Sequence, residues 1–180
     1  MNVFYLDKDP VAAAQALVDK HVTKMILETC QLLSTAHRVL DGEEYIGKSK
    51  SGRNVKRWKL PDMREKTLYK ATHVNHPSAK WVRESIENYN WTVEHLIALC
   101  NEYNHRYGKV HKCWCRLTFP LASPPHNLKE WNWTEPPSAM AEEYIISDDP
   151  LTNYRNYYKN GKVELHSWKK RNPPDWIASA

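Results

Sequence analysis

The chain has 180 residues, a size that suits one domain burying its own core without disulfide or metal staples and that leaves little room for two. Hydrophobic residues at 41% and charged residues at 26% exclude a disordered chain, and five glycines exclude collagen-like and Gly-rich low-complexity classes. A formal net charge of +5 favours anionic partners without requiring one, while eight Trp and ten Tyr against two Phe point to half-wet aromatic surfaces whose N–H and O–H groups need partners. No apolar run approaches the ~20 residues of a membrane span. The opening MNVFYLDKDP has the marks of neither a signal nor a transit peptide, so a cytoplasmic protein without membrane association is expected. Cys30, Cys100, Cys113 and Cys115 then read as reduced thiols.

In chain order, Asp9-Pro10 predicts a helix start, with a carboxylate to cap free N–H groups and a proline where its missing donor costs nothing. The helical pattern runs over 10–40 with a candidate break near Val18-Asp19, and Ile26, Leu33, Ala36 and Leu40 mark its core-facing stripe. Residues 43–76 read as a long basic loop holding at most a short helix around Met63 to Tyr69; between Lys48 and Lys70 nine basic residues meet only Asp62 and Glu65. Pro77 opens a helical block over 77–107 with a joint near Asn88, closed by Gly108. Residues 117–137 form a Pro/Trp-rich loop in which the prolines exclude regular helix, and Asp149-Pro150 opens a C-terminal helix over 150–160, followed by a basic tail. With no strand-period run and no internal repeat, the expected class is mainly α: a single compact helical domain with long basic and Pro/Trp-rich loops.

Four constellations carry candidate chemistry. In the first helix His21, Lys24 and Glu28 share a face, so an imidazole, an ammonium and a carboxylate point to one place; equally, Lys24–Glu28 reads as a solvated i, i+4 pair. His76-Pro77-Ser78 offers a helix N-terminus for phosphate, with Lys80 and Arg83 beside it and Trp81, Trp91 and His95 further along; the alternative is plain capping and packing. Arg106, Tyr107 and His111 belong to a stretch of interleaved basic and aromatic residues suited to nucleic acid. His111, Cys113 and Cys115 lack the spacing of zinc ligands, and no metal or cofactor is expected. Arg155 and Tyr157, then Lys169, Lys170 and Arg171, repeat the basic-aromatic theme, with packing of the tyrosines and a solvated tail as the other reading.

Set in order, these pieces resemble the pyrimidine-dimer DNA glycosylase family, the endonuclease V type of T4-like phages and its bacterial relatives. Asp19-x-His21 with Glu28 seven residues after the histidine is similar to the Asp-x-His and catalytic glutamate of the phage enzyme. Asn75-His76-Pro77 and Glu102-Tyr-x-x-Arg106-Tyr107-Gly108 resemble bacterial motifs, and Tyr154 to Gly161 resembles the C-terminal end of the phage enzyme. The opening is also similar to that of small tailed-phage proteins, which would place the chain in a host cytoplasm. The resemblance implies an all-α fold, DNA as partner, and an N-terminal amine that attacks the sugar C1′ and forms a Schiff base before β-elimination. Glu28 would be the acid/base group and His21 its neighbour. An α-amine, with an ordinary pKa of about 7.7–8.0, is partly neutral at physiological pH. In the family a small residue after Met leads to Met removal and a Thr amine; here Asn2 normally leaves Met1 in place, and Leu27 and Gln31 stand where the family has arginines. The competing reading, from another class, is a non-catalytic binder of a nucleotide ligand or nucleic acid, of the phage counter-defence type. A third is a protein partner met through the Trp-rich loop.

Overall fold

The computed structural model describes residues 1–178 and is mainly helical. Its order is α1 (Pro10–Ala16), α2 (Asp19–Asp41), β1 (Glu43–Lys48), β2 (Asn54–Lys59), α3 (Arg64–Thr67), α4 (Pro77–Val82), α5 (Ile86–Tyr107), α6 (Lys112–Leu121), α7 (Pro150–Gly161) and α8 (Asp175–Ala178). Asp9 and Asp149 cap α1 and α7 through both carboxylate oxygens, each followed by proline at the first helical position. The first helical stretch breaks where expected: Leu17 and Val18 are extended, and α2 restarts at Asp19.

α2 and α5 form the central pair, with α1, α4 and α6 packed against them. Their shared core takes Met25, Ile26, Leu32, Leu33 and Ala36 from α2 and Tyr89, Leu96 and Leu99 from α5. Residues 2–6 precede α1 as an extended segment that is itself core, with Val3, Tyr5 and Leu6 almost wholly buried. No helix among the described residues is long and apolar enough to cross a membrane.

Three boundaries differ from expectation. The basic stretch is an antiparallel β-hairpin pairing Glu43 with Lys59 through Lys48 with Asn54, followed by the short helix α3. Both strands are largely solvated, so no apolar alternation marks them; local pairing and a turn in which Gly52 takes φ +79° define them instead. The joint in the second helical block lies at Arg83–Ser85, just before Asn88, because Ser85 caps α5 by accepting from the Asn88 N–H; Gly108 closes α5 in the left-handed conformation. Helix α6 runs through Phe119 and Pro120 into the stretch expected to be irregular; Pro120 occupies its last turn, and the chain is irregular from Ser123 through Met140.

Candidate active site

Backbone geometry at the N-terminus fixes where the first residue lies. Asn2 Oδ1 accepts from the N–H groups of Val3 and Phe4 and from the Tyr154 hydroxyl, while its Nδ2 donates to the Ala139 carbonyl. This side chain holds Phe4 at φ +45°, a conformation costing a non-glycine residue roughly 1–2 kcal/mol, which the surrounding bonds must sustain. The Phe4 ring stacks on His21 at 4.5 Å and meets Tyr158 edge-on at 5.5 Å. So anchored, the segment delivers the Met1 amine to 3.5 Å from Glu28 Oε2, on the middle of α2.

Glu28 is largely buried, whereas its second cationic neighbour, Lys24 at 3.1 Å, is 65% exposed. Glu28 also lines a cleft of about 710 Å³ between α2 and the start of α6. The cleft also presents Lys24, Lys109 and Lys112, the rings of Tyr69 and Tyr103, and Cys113. Cys113 follows the cap residue of α6: His111 Nδ1 accepts from the Cys113 N–H. Hydrogen bonds from the Cys30 thiol and the Tyr69 hydroxyl hold the Cys113 thiol below its ordinary pKa, and the same pairing, with burial, pushes Cys30 up. Tyr69 and Cys113 were not among the sequence candidates. Tyr69 follows a four-residue helix with no pattern of its own; the only available signal was the His111-Lys112-Cys113 helix start.

His76 caps α4 through Nδ1, accepting from the Ser78 N–H, and close enough to the Met1 amine to feel its charge. Burial is the main reason that its pKa is lowered, with the amine and His73 adding to it and Glu28 opposing. Met1, Glu28, Lys24, His76 and His111 thus gather around one part of the molecule. His21 stands two helical turns from Glu28, about 10 Å along the axis, and feels the charges of Lys24 and Glu28 without a direct bond to either. Its Nδ1 is 2.6 Å from the Tyr158 hydroxyl, and burial lowers its pKa to about 4.

Most of the other residues expected at a nucleic-acid surface have partners within the protein. Trp81 and Trp91 are buried, their indole N–H groups donating to the carbonyls of Thr134 and Lys8, and they pack with Trp133. His95 stacks on Trp91 with Nδ1 at 3.0 Å from the Pro10 carbonyl. Arg106 is fully buried, paired with Asp19 and Glu102 and donating to the carbonyls of Leu17 and Gln15. Arg83 holds the carbonyls of Ala79 and Val74. Arg155 pairs with Asp7, and Tyr157 packs against Tyr144 and under Lys162.

The basic tail folds back rather than projecting. The Lys169 N–H bonds Asp19, Lys170 Nζ reaches the His105 carbonyl, and Arg171 pairs with Glu102. Tyr107 bonds the Asp19 carbonyl, with Lys169 over its ring. Lys80 is exposed on α4. Trp81 and Trp91, expected beside the phosphate-binding helix start, are therefore core, whereas Trp131 of the Trp-rich loop is 65% exposed.

A family model described as pyrimidine dimer DNA glycosylase matches residues 1–115, the part that contains Met1, Glu28, His76 and the whole cleft. No curated protein and no solved structure matches the chain.

Proposed function

The chain belongs to the pyrimidine dimer DNA glycosylase family, and from that membership and the geometry at Glu28 we propose that it is a DNA glycosylase and abasic-site lyase whose nucleophile is the α-amine of Met1. The observation that carries this reading is the 3.5 Å approach of the Met1 nitrogen to Glu28 Oε2 at the edge of the cleft. A retained Met1 takes the place of the Thr amine used elsewhere in the family.

In the proposed reaction the neutral amine attacks C1′ of the target deoxyribose. The glycosidic bond breaks, its electron pair leaves with the base, and the base takes up a proton. Opening of the sugar ring, with protonation of its oxygen, yields an iminium between C1′ and the Met1 nitrogen. Removal of a C2′ proton then expels the 3′-phosphate by cleavage of the C3′–O3′ bond, and water hydrolyses the imine to restore the amine. Glu28 serves as proton carrier and as the fixed negative charge facing the cationic intermediate, a role favoured by its partial burial. Glycosylases draw their target nucleotide out of the duplex. A volume of about 710 Å³ with two tyrosine rings and three lysines suits an extruded nucleotide.

The test is borohydride trapping with duplex DNA carrying an abasic site or a thymine dimer. The expected result is a covalent adduct mapping to Met1 in the wild type, and loss of lyase turnover in Glu28→Gln. Failure to trap at any pH from about 6 to 9, across the ordinary range of an α-amine, overturns the proposal. Tight binding of a mononucleotide that persists at raised salt, without an adduct, supports the non-catalytic binder instead.

A further inference from the structure

We propose that the β1–β2 hairpin is a duplex-DNA-binding arm that holds the phosphate backbone away from the lesion. The inference rests on the DNA-acting reading above. It concerns a part of the molecule that the reaction at Glu28 does not use.

The argument begins with charge. From Glu43 to Lys59 the hairpin carries six basic residues against two acidic ones, a net +4 out of the chain's formal +5, in 17 of its 180 residues. Three arginines of the body, Arg106, Arg155 and Arg171, are ion-paired, whereas on the hairpin, among the described residues, Lys56 alone pairs with a carboxylate, that of Glu44. On the hairpin, Lys48, Lys50, Arg53, Lys56 and Lys59 are exposed, and Arg57 is half-buried. Tyr45 and Ile46, on opposite faces of β1, are also exposed, so both faces of that strand are wet, while Val55, Arg57 and Trp58 of β2 are only partly covered. A lone two-stranded ribbon with two wet faces is marginally stable by itself, and burial of its own apolar surface does not explain it.

The arm is nevertheless held firmly at its base. Arg38, buried on α2, donates to the Trp58 carbonyl at 2.9 Å and to the Leu68 carbonyl at 3.0 Å, and pairs with Glu65 at 2.6 Å. Its tip is ordered too, with the Ser49 N–H donating to the Arg53 carbonyl and the Gly52 N–H to the Ser49 carbonyl. A rigid base and an ordered basic tip form a preorganised surface for a polyanion, at little cost in ordering.

Placement connects the arm to the site. The hairpin leaves the end of α2, thirteen residues past Glu28, which is about 20 Å along the helix and about six base pairs of B-form duplex. Between them a groove of about 470 Å³ runs from Lys56 and Arg57 to His73 and Asn75, the segment that leads directly into His76, which feels the charge of the Met1 amine. A duplex with its target nucleotide at Glu28 would meet the hairpin with a flank on one side only. A two-stranded ribbon also fits the width of the major groove, whereas single strands offer no such groove.

The test measures equilibrium binding of the full chain to undamaged duplex, and to duplex bearing a non-cleavable abasic analogue, across a salt series. Lys50→Gln/Arg53→Gln/Arg57→Gln should weaken binding to both by about tenfold or more at low salt and flatten the log–log salt slope by about 2–3. Ser51→Lys should steepen that slope by about 1. A control that removes two charges outside the hairpin, Lys8→Gln/Lys129→Gln, should leave the slope within about 0.5 of wild type. Trimming the flank on one side of the analogue below about six base pairs should cost the wild type the same affinity and the triple variant almost none. A triple variant with wild-type affinity and slope, an equal effect from the control, or the same hairpin dependence on single-stranded DNA overturns the arm. Hairpin-dependent binding with no borohydride adduct in the wild type overturns the lyase reading alone, and an adduct with hairpin-independent binding overturns the arm alone.

Discussion

The Tyr154 hydroxyl donates a 2.8 Å hydrogen bond to Asn2 Oδ1, tying the second residue of the chain to helix α7 in the buried interior. The residue whose size is expected to keep Met1 in place thus also anchors the segment that aims it. Asn2→Ala should act twice: a small residue exposes Met1 to removal, and the bonds that hold Phe4 at φ +45° vanish. Intact mass should show a chain lacking Met1, trapping should be lost, and stability should fall by about 1–3 kcal/mol, the cost of leaving buried N–H groups unsatisfied. Tyr154→Phe separates the effects, because Met1 stays while one bond to Asn2 goes. A loss of about 1 kcal/mol and weaker trapping are expected, read by urea denaturation and adduct yield. Full trapping by an Asn2→Ala protein without Met1 sinks the assigned role of Met1.

Arg106 and Lys24 make opposite predictions although the sequence offers both as candidate site residues. Arg106 is fully buried among Asp19, Glu102 and the carbonyls of Leu17 and Gln15, and Arg106→Ala would strand a buried carboxylate. The expected loss is about 3–5 kcal/mol. Lys24→Ala breaks a pair in which the lysine is mostly solvated, and the loss should stay below about 0.5 kcal/mol. Chemical denaturation of the two variants decides it; equal losses would contradict the burial assigned to Arg106.

Where the sequence speaks through local chemistry, it was legible. Asp9-Pro10 and Asp149-Pro150 each begin a helix, Asp41-Gly42 and Gly108 end one, and Glu28 stands on the face of α2 that meets the amine. What stayed hidden depended on partners far along the chain. Nothing local in Arg106 distinguishes a phosphate contact from a clamp on Leu17, and nothing in Trp81 reveals that Thr134 takes its N–H. The hairpin escaped because its strands alternate no apolar face; their only signals are a turn glycine and cross-strand pairing such as Lys56 with Glu44. Tyr69 enters the cleft through tertiary packing alone.

Acid should unfold the protein before its carboxylates titrate. Burial is the largest cause lowering His21, His37 and His95 to about 4 each, so all three are neutral in the folded chain near neutrality. Because the unfolded chain takes up these protons near pH 6.5, the stability is fully present above that value. It is lost as pH falls toward 4, at up to about 1.4 kcal/mol per pH unit for each histidine. Asp19, Asp41 and Glu102, whose pKa values are lowered, add their loss only below about 4. His95 Nε2 has no hydrogen-bond partner among the described residues, so His95→Leu should fold and reduce the slope in this window by about one third. A denaturation midpoint that is flat from pH 7 to about 4.5 contradicts three buried neutral imidazoles.

Cys113 offers a chemical probe of the cleft. Its thiol receives hydrogen bonds from Cys30 and Tyr69 at the start of α6, which favours the thiolate, whereas Cys100 is pushed up to about 12 by burial. In a Cys115→Ser background, which removes the exposed thiol, a small alkylating reagent should modify Cys113 ahead of Cys30 and Cys100. Its rate should level off at a lower pH than for an ordinary thiol, and Tyr69→Phe should shift that pH upward by removing one stabilising donor. Because Cys113 and Glu28 line the same cleft, the alkylated protein should bind duplex carrying an abasic analogue at least about tenfold more weakly than the unmodified one, as expected when a bulky group fills a fitted pocket. Peptide mapping locates the label and a binding titration reads the effect. Modification of Cys113 without loss of affinity would place the bound nucleotide outside this cleft.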